Sequence, residues 1–175
     1  AVSFTACSSD PVVKIIPYDL STESYGIGIQ KGNTALKTQI DSILTELIND
    51  GVEIDGETVT FEDIYLEEMQ ALENGEFLDI GPVATESTNR AEELVVATNA
   101  EFAPFEYMAN NSFGGIDMQV ANILAKKMNK RLVVKHMAFD VVVDNVANKN
   151  ADIAMAGLTI SEDRKEKVDF SIEYC

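Results

Sequence analysis

The chain has 175 residues, 46% of them hydrophobic and 25% charged, and a net charge of −17. That is enough apolar material for a globular core. An acidic balance of this size excludes nucleic-acid phosphates and anionic membranes as favoured partners and leaves cationic or zwitterionic ligands, unless the charge only solvates the surface. No stretch approaches the roughly 20 apolar residues that a membrane-spanning helix requires.

The chain opens on Ala1 and closes on Cys175, directly after the strand-like residues 168–171, and is read as part of a longer product. Cys7 follows the small, apolar run Ala1-Val2-Ser3-Phe4-Thr5-Ala6 and precedes Ser8-Ser9-Asp10. This resembles the lipobox that ends a bacterial lipoprotein signal peptide, with Phe4 where a leucine is expected. Cys7 is then a lipidation site, and residues 1–11 are a signal remnant and tether. A buried cysteine, or a Cys7–Cys175 disulfide, is the alternative.

Val12, Val13, Ile15 and Ile16 predict a strand by their β-branched content. A second strand is expected at 25–29. Lys31-Gly32-Asn33 is a turn, with Asn33 or Thr34 as a helix cap. Leu36, Ile40, Ile43, Leu44 and Leu47 then share one helical face, and Gly51 stops that helix. Residues 51–60 read as a polar connection. Thr60 caps a second helix with Asp63 at its third position. Phe61, Ile64, Met69 and Leu72 form its apolar stripe, and Gly75 ends it. Residues 12–74 are thus one segment, and 75–92, rich in Gly, Ser, Thr, Pro and Glu, are a linker.

From residue 93 to 175 strands alternate with helices. Strands are expected at 94–97, 132–135, 151–156 and 168–171. Ile116, Val120, Ile123, Leu124 and Met128 mark one helix, 140–148 a second, and Ser161 caps a turn through Lys165. This alternation predicts an α/β fold with a mostly parallel sheet covered on both faces.

Enzyme signatures are absent. The single histidine, His136, sits beside a strand, where a structural role is commoner than catalysis. Cysteine and histidine spacing makes no zinc site, and no calcium loop is spelled out. Gly26-x-Gly28 and Gly114-Gly115 lack the continuation of a phosphate cradle, and no serine occupies a nucleophile elbow. No cofactor, metal or nucleic-acid partner is expected.

Open α/β sheets place ligands at the carboxyl ends of their strands. Three loops there carry Asn99 through Tyr107, Met137 through Asp140, and Ala156 through Arg164. A free amino acid suits them. The Arg164 guanidinium can take a carboxylate in a two-pronged bond. The Gly157 carbonyl is open to an ammonium, and Phe102 and Phe139 can sandwich a side chain. Core positions for the two phenylalanines, and an ion pair of Arg164 with Glu162 or Glu166, are the plainer alternatives.

Residues 93–175 resemble the N-terminal part of the polar amino-acid solute-binding proteins of ABC importers, which have the type II periplasmic-binding-protein fold. The strings that carry the resemblance are Leu94-Val95-Val96-Ala97-Thr98-Asn99, Phe102-Ala103-Pro104-Phe105-Glu106-Tyr107, Gly115-Ile116-Asp117, Phe139-Asp140, Ala151-Asp152-Ile153, Ala156-Gly157-Leu158-Thr159-Ile160, and Arg164 with Val168-Asp169-Phe170-Ser171. The resemblance implies that Phe102 and Phe139 flank the ligand side chain. It implies that Gly157 and Thr159 hold the α-ammonium and assist with the carboxylate, and that Arg164 binds the carboxylate. Asn99 stands where many relatives have Asp, and Ala156 replaces a hydroxyl found in some.

Residues 12–50 resemble the opposite end of the same family, so the order looks circularly permuted, with 75–92 joining the old termini; a tandem fusion is the rival explanation. The second lobe of the family is expected to be largely absent. The implied protein is the extracellular substrate-binding component of an ABC importer, not an enzyme. It is a monomer, tethered to the outer face of the membrane by lipid on Cys7 or free in the periplasm, and its partners are a polar or cationic amino acid (or cystine) and the permease subunits. The same fold also serves as the sensing domain of receptors and, in a few relatives, as a dehydratase or a peptidoglycan-cleaving enzyme.

Overall fold

A computed structural model describes residues 23–109 and 111–175. Cys7 and the strand expected at 12–16 lie outside them. In chain order the elements are β1 (Gly28–Gln30), α1 (Thr34–Asn49), β2 (Val52–Ile54), β3 (Glu57–Val59), α2 (Phe61–Asn74), β4 (Glu93–Thr98), β5 (Glu101–Phe102), β6 (Glu106–Ala109), β7 (Ser112–Gly114), α3 (Ile116–Lys127), β8 (Arg131–His136), α4 (Phe139–Ala147), β9 (Ile153–Ala154), α5 (Glu162–Lys167) and β10 (Val168–Phe170).

The main sheet runs β10-β1-β9-β4-β8. β4 pairs parallel with β8 and β9, while β1 pairs antiparallel with β9 and β10. Four strands therefore point one way and β1 the other: the mostly parallel sheet expected of a type II periplasmic-binding-protein-like lobe.

Alternation along the strands divides the interior into two layers, because successive side chains point to opposite faces. Leu94, Val96, Leu132, Val134, Ile153, Ile27 and Ile29 face the layer made by α1, α2 and α3. Val95, Ala97, Val133 and Ala154 face α4, where they meet Val142, Val143 and Val146. Burial on both faces gives the central strands continuous apolar runs. Gly28 sits where a Cβ would come within 3.2 Å of the Ala154 methyl, so a small residue lets β1 lie close to β9.

The local punctuation matches expectation. Asn33 caps α1 by accepting from Leu36 N, and Gly51 follows with φ +83°. Thr60 and Asp63 form a reciprocal capping box on α2, and Gly75 ends it in the left-handed conformation. Ser161 caps α5.

Three expectations are corrected. Residues 51–60 are a β-hairpin, not a plain connection: Val52, Ile54 and Val59 alternate with polar residues around Asp55-Gly56, both at positive φ. The stretch after β4 is not a simple loop, since β5, β6 and β7 form a small antiparallel sheet. The stripe on α2 packs only in part, through Phe61 and Ile64. Ile64, Glu68 and Ala71 are buried, while Leu72 is 48% exposed. Glu68 goes inside because it accepts from Tyr107 Oη, Gly115 N and Gln119 Nε2. Residues 75–92 carry little regular structure but are bound along the lobe: Ile80 N donates to Phe113 O, and Ala84 pairs with Val133 at the β8 edge.

Candidate functional site

The carboxyl ends of β4, β8 and β9 open onto a cleft of about 320 Å³ lined by Glu23, Tyr25, Asn99, Glu101, Phe102, Glu106, Phe139, Ala156 and Gly157. Phe102 and Phe139 are both large exposed aromatics there, 46% and 41% accessible, so neither is a core residue. Phe102 stacks on Phe105 at 5.7 Å between centroids, and Tyr25 meets Phe105 edge-on at 4.9 Å. Those contacts fix the ring that forms one wall.

Gly157 adopts φ +50°, and a Cβ there would come within 2.9 Å of the Phe102 ring. Both the backbone and the wall therefore require glycine. Asn99 turns its amide to the Met137 carbonyl, at 2.9 Å, and so ties the β4 loop to the β8 loop. His136 has a structural part in the same seam: its Nδ1 accepts from Ala100 N at 3.1 Å.

Of the six residues singled out from sequence, Asn99, Phe102, Phe139 and Gly157 line the cleft. Arg164 does not. It lies behind Phe139, its guanidinium carbon 5.4 Å from the ring centroid, beside a neighbouring pocket of about 240 Å³. Its Nη1 donates to the Thr159 carbonyl at 2.8 Å. It pairs with neither Glu162 nor Glu166, and Glu162 is taken by Lys165. Thr159 forms a backbone bridge with the cleft-lining Tyr25 and itself lines neither cavity.

The floor of the cleft holds a feature not read from sequence. Glu106 is 1% exposed and Asp117 fully buried. Asp117 accepts from Tyr174 Oη at 2.5 Å on one oxygen and from Gly157 N at 2.9 Å on the other. The Glu106 carboxyl lies beside Asp117 at the same Gly157 turn, its Oε2 3.8 Å from where a Gly157 Cβ would stand, and both its oxygens are buried with no donor among the described residues. Burial first, and the Asp117 charge second, push Glu106 far above the usual carboxylate range. Burial raises Asp117 as well, against the pull of its hydroxyl and amide donors. The available signal was an acid set among apolar neighbours, in Pro104-Phe105-Glu106 and Ile116-Asp117-Met118. Composition alone does not separate such a group from a surface acid.

Among the described residues no group of three or more His, Cys, Asp or Glu is arranged to hold a metal ion. No helix is long and apolar enough to cross a membrane.

Residues 94–175 match the model of the bacterial extracellular solute-binding proteins, family 3. Similar curated proteins include a probable histidine-binding protein of Neisseria gonorrhoeae, 39% identical over 92 residues (52% of this chain, 34% of that protein). Another is the arginine-binding extracellular protein ArtP of Bacillus subtilis, 33% identical over 88 residues (50% and 34%). A cyclohexadienyl dehydratase of Pseudomonas aeruginosa is 33% identical over 82 residues (46% and 31%). The chain thus spans about a third of the length of these relatives. Binding proteins outnumber enzymes among them, and the glycine-floored, aromatic-walled cleft lies inside the matched segment. Over residues 94–175, just under half of its length, the chain is similar to the bacterial extracellular solute-binding proteins, family 3.

Proposed function

We propose that the chain forms the ligand-gripping lobe of an extracellular receptor that captures a free cationic amino acid for an ABC importer and performs no chemistry on it. The observation that carries this reading is the cleft itself. Two exposed phenylalanines face it, the exposed glutamates Glu23 and Glu101 line it, and among the described residues no lysine or arginine does. Aromatic faces and carboxylates together attract a guanidinium, imidazolium or ammonium side chain. Two relatives, a probable histidine-binding and an arginine-binding protein, agree with that chemistry.

In this reading Phe102 and Phe139 flank the side chain, and the Gly157 carbonyl and the Thr159 side chain take the α-ammonium. Arg164, whose Nη1 alone is engaged among the described residues, offers its remaining donors to the α-carboxylate. Asn99 braces the rim. The ligand is completed by a second lobe that closes over the first. The permuted order is supported by β1 and α1, which precede the matched segment yet complete its sheet and cover one face. Cys7 carries the lipid that tethers a monomer outside the cell, where the permease subunits receive the closed form.

A thermal-shift titration of the intact chain with L-arginine, L-histidine, L-lysine and L-cystine tests the proposal. A binder present at 100 times its Kd stabilises by about 2.7 kcal/mol. L-arginine is expected to raise the unfolding midpoint, and Arg164→Ala to abolish the rise without unfolding the protein. A rise that survives the substitution removes Arg164 from the carboxylate role.

A further inference from the structure

We propose that Glu106 is a positioning residue: as a neutral acid it donates its proton to Asp117, and through Asp117 it sets the Gly157 turn that forms the cleft floor. The argument is one of donors and acceptors. Two ionised carboxylates in contact have no hydrogen to share, so one of the pair carries a proton. Both Asp117 oxygens already receive donors, from the Tyr174 hydroxyl and the Gly157 amide. Glu106 receives none among the described residues. The shared proton therefore belongs to Glu106, and Asp117 is the carboxylate that gathers three donors.

What those donors belong to gives the pair its role. Gly157 stands in the left-handed conformation between the cleft-lining Ala156 and the buried Leu158, and among the described residues its amide is held only by Asp117. Tyr174 lies in the last described segment, where its backbone N donates to Tyr25 O and Tyr25 N donates to Cys175 O. One carboxylate thus joins the cleft floor, the first turn of α3 and the paired segments at Tyr25 and Tyr174. A second negative charge on Glu106 would sit beside Asp117 in a buried site and drive these parts apart.

The groups that face the pair bring no compensating cation. Tyr25 and Glu23 face it from the segment before β1, Glu101 from β5, and Tyr174 and Cys175 from the closing segment. Glu68 of α2 lies nearby and is occupied by its own three donors. No lysine or arginine bonds either carboxyl among the described residues.

For an acid whose folded pKa is raised, the folded state binds more protons above the unfolded value, so stability falls as pH rises. The unfolding midpoint of the intact chain is expected to fall from pH 5 to pH 9, and Glu106→Gln, a neutral donor of similar shape, to remove much of that slope. An unchanged slope in E106Q overturns the proposal. Carboxyl-carbon NMR of the unsubstituted chain needs no variant to fold: the Glu106 signal is expected not to titrate with the exposed glutamates, and a signal that does so overturns it as well. The effect on the cleft rests on the amino-acid reading above. With L-arginine as probe, E106Q is expected to bind about tenfold or more tighter than Glu106→Ala, and equal affinities exclude a positioning role. Absence of L-arginine binding by the unsubstituted chain instead counts against the ligand assignment, while the slope and the NMR signal still decide the carboxyl pair.

Discussion

Glu93 and Glu106 are both buried to about 1% exposure, and their surroundings are opposite. Glu93 accepts from Ser87 Oγ at 2.5 Å, from Thr88 N at 3.0 Å and from Asn89 N at 2.9 Å, and pairs with Arg131. These donors, the Ser87 hydroxyl foremost, hold its carboxyl well below the usual range despite burial. Glu106 lacks such donors and moves the other way. The sign of the linkage follows. Glu93 stabilises above its unfolded pKa, and that contribution is lost as pH falls. Glu93→Gln is therefore expected to lower the unfolding midpoint at pH 7, with the gap to the unsubstituted chain closing towards pH 3, as pH-resolved thermal melts would show. A gap independent of pH would mean that Glu93 acts by packing alone. Neither glutamate is distinguished by its sequence neighbours, since each precedes or follows apolar residues. Donors brought from 87–89 and from Arg131 make the difference.

At the scale of elements, helix ends were legible and helix faces only in part. The Thr60–Asp63 box is made of bonds between residues three apart, so the string that encodes it also builds it. Thr60→Ala is expected to cost about 1 kcal/mol in urea unfolding, the usual worth of an N-cap. The buried face of α2 depends instead on what the helix meets. Tyr107, Gly115 and Gln119 draw in Glu68, and Leu72 is left outside. Helical periodicity in α1 succeeded because Ile40, Ile43, Leu44 and Leu47 meet an apolar neighbour, as the stripe requires. The Asp55-Gly56 hairpin was available from sequence as well, but its strands of three residues each are too short for alternation to stand out from a polar loop.

For the whole molecule, the order β10-β1-β9-β4-β8 places a strand from the first part of the chain between two from its end. Ile29 of β1 is completely buried in the layer under α1 and α3. Ile29→Ala is expected to cost about 2–5 kcal/mol, as truncation of a buried isoleucine does, and to do so within one cooperative denaturant transition. Two separate transitions would show that the segment before residue 93 is an appendage and not part of the sheet.

The α/β alternation, the helix caps, the family strings and the aromatic-bearing loops at the strand ends could all be read from the sequence, because each depends on residues within a few positions of one another. Only the tertiary structure placed Arg164 behind Phe139, bridged Thr159 to Tyr25 and brought Asp117 to Gly157, 40 positions along the chain. Contacts of that span depend on strand order, register and the packing of loops, and these are settled by the burial and hydrogen bonding of the whole fold, which no local pattern records.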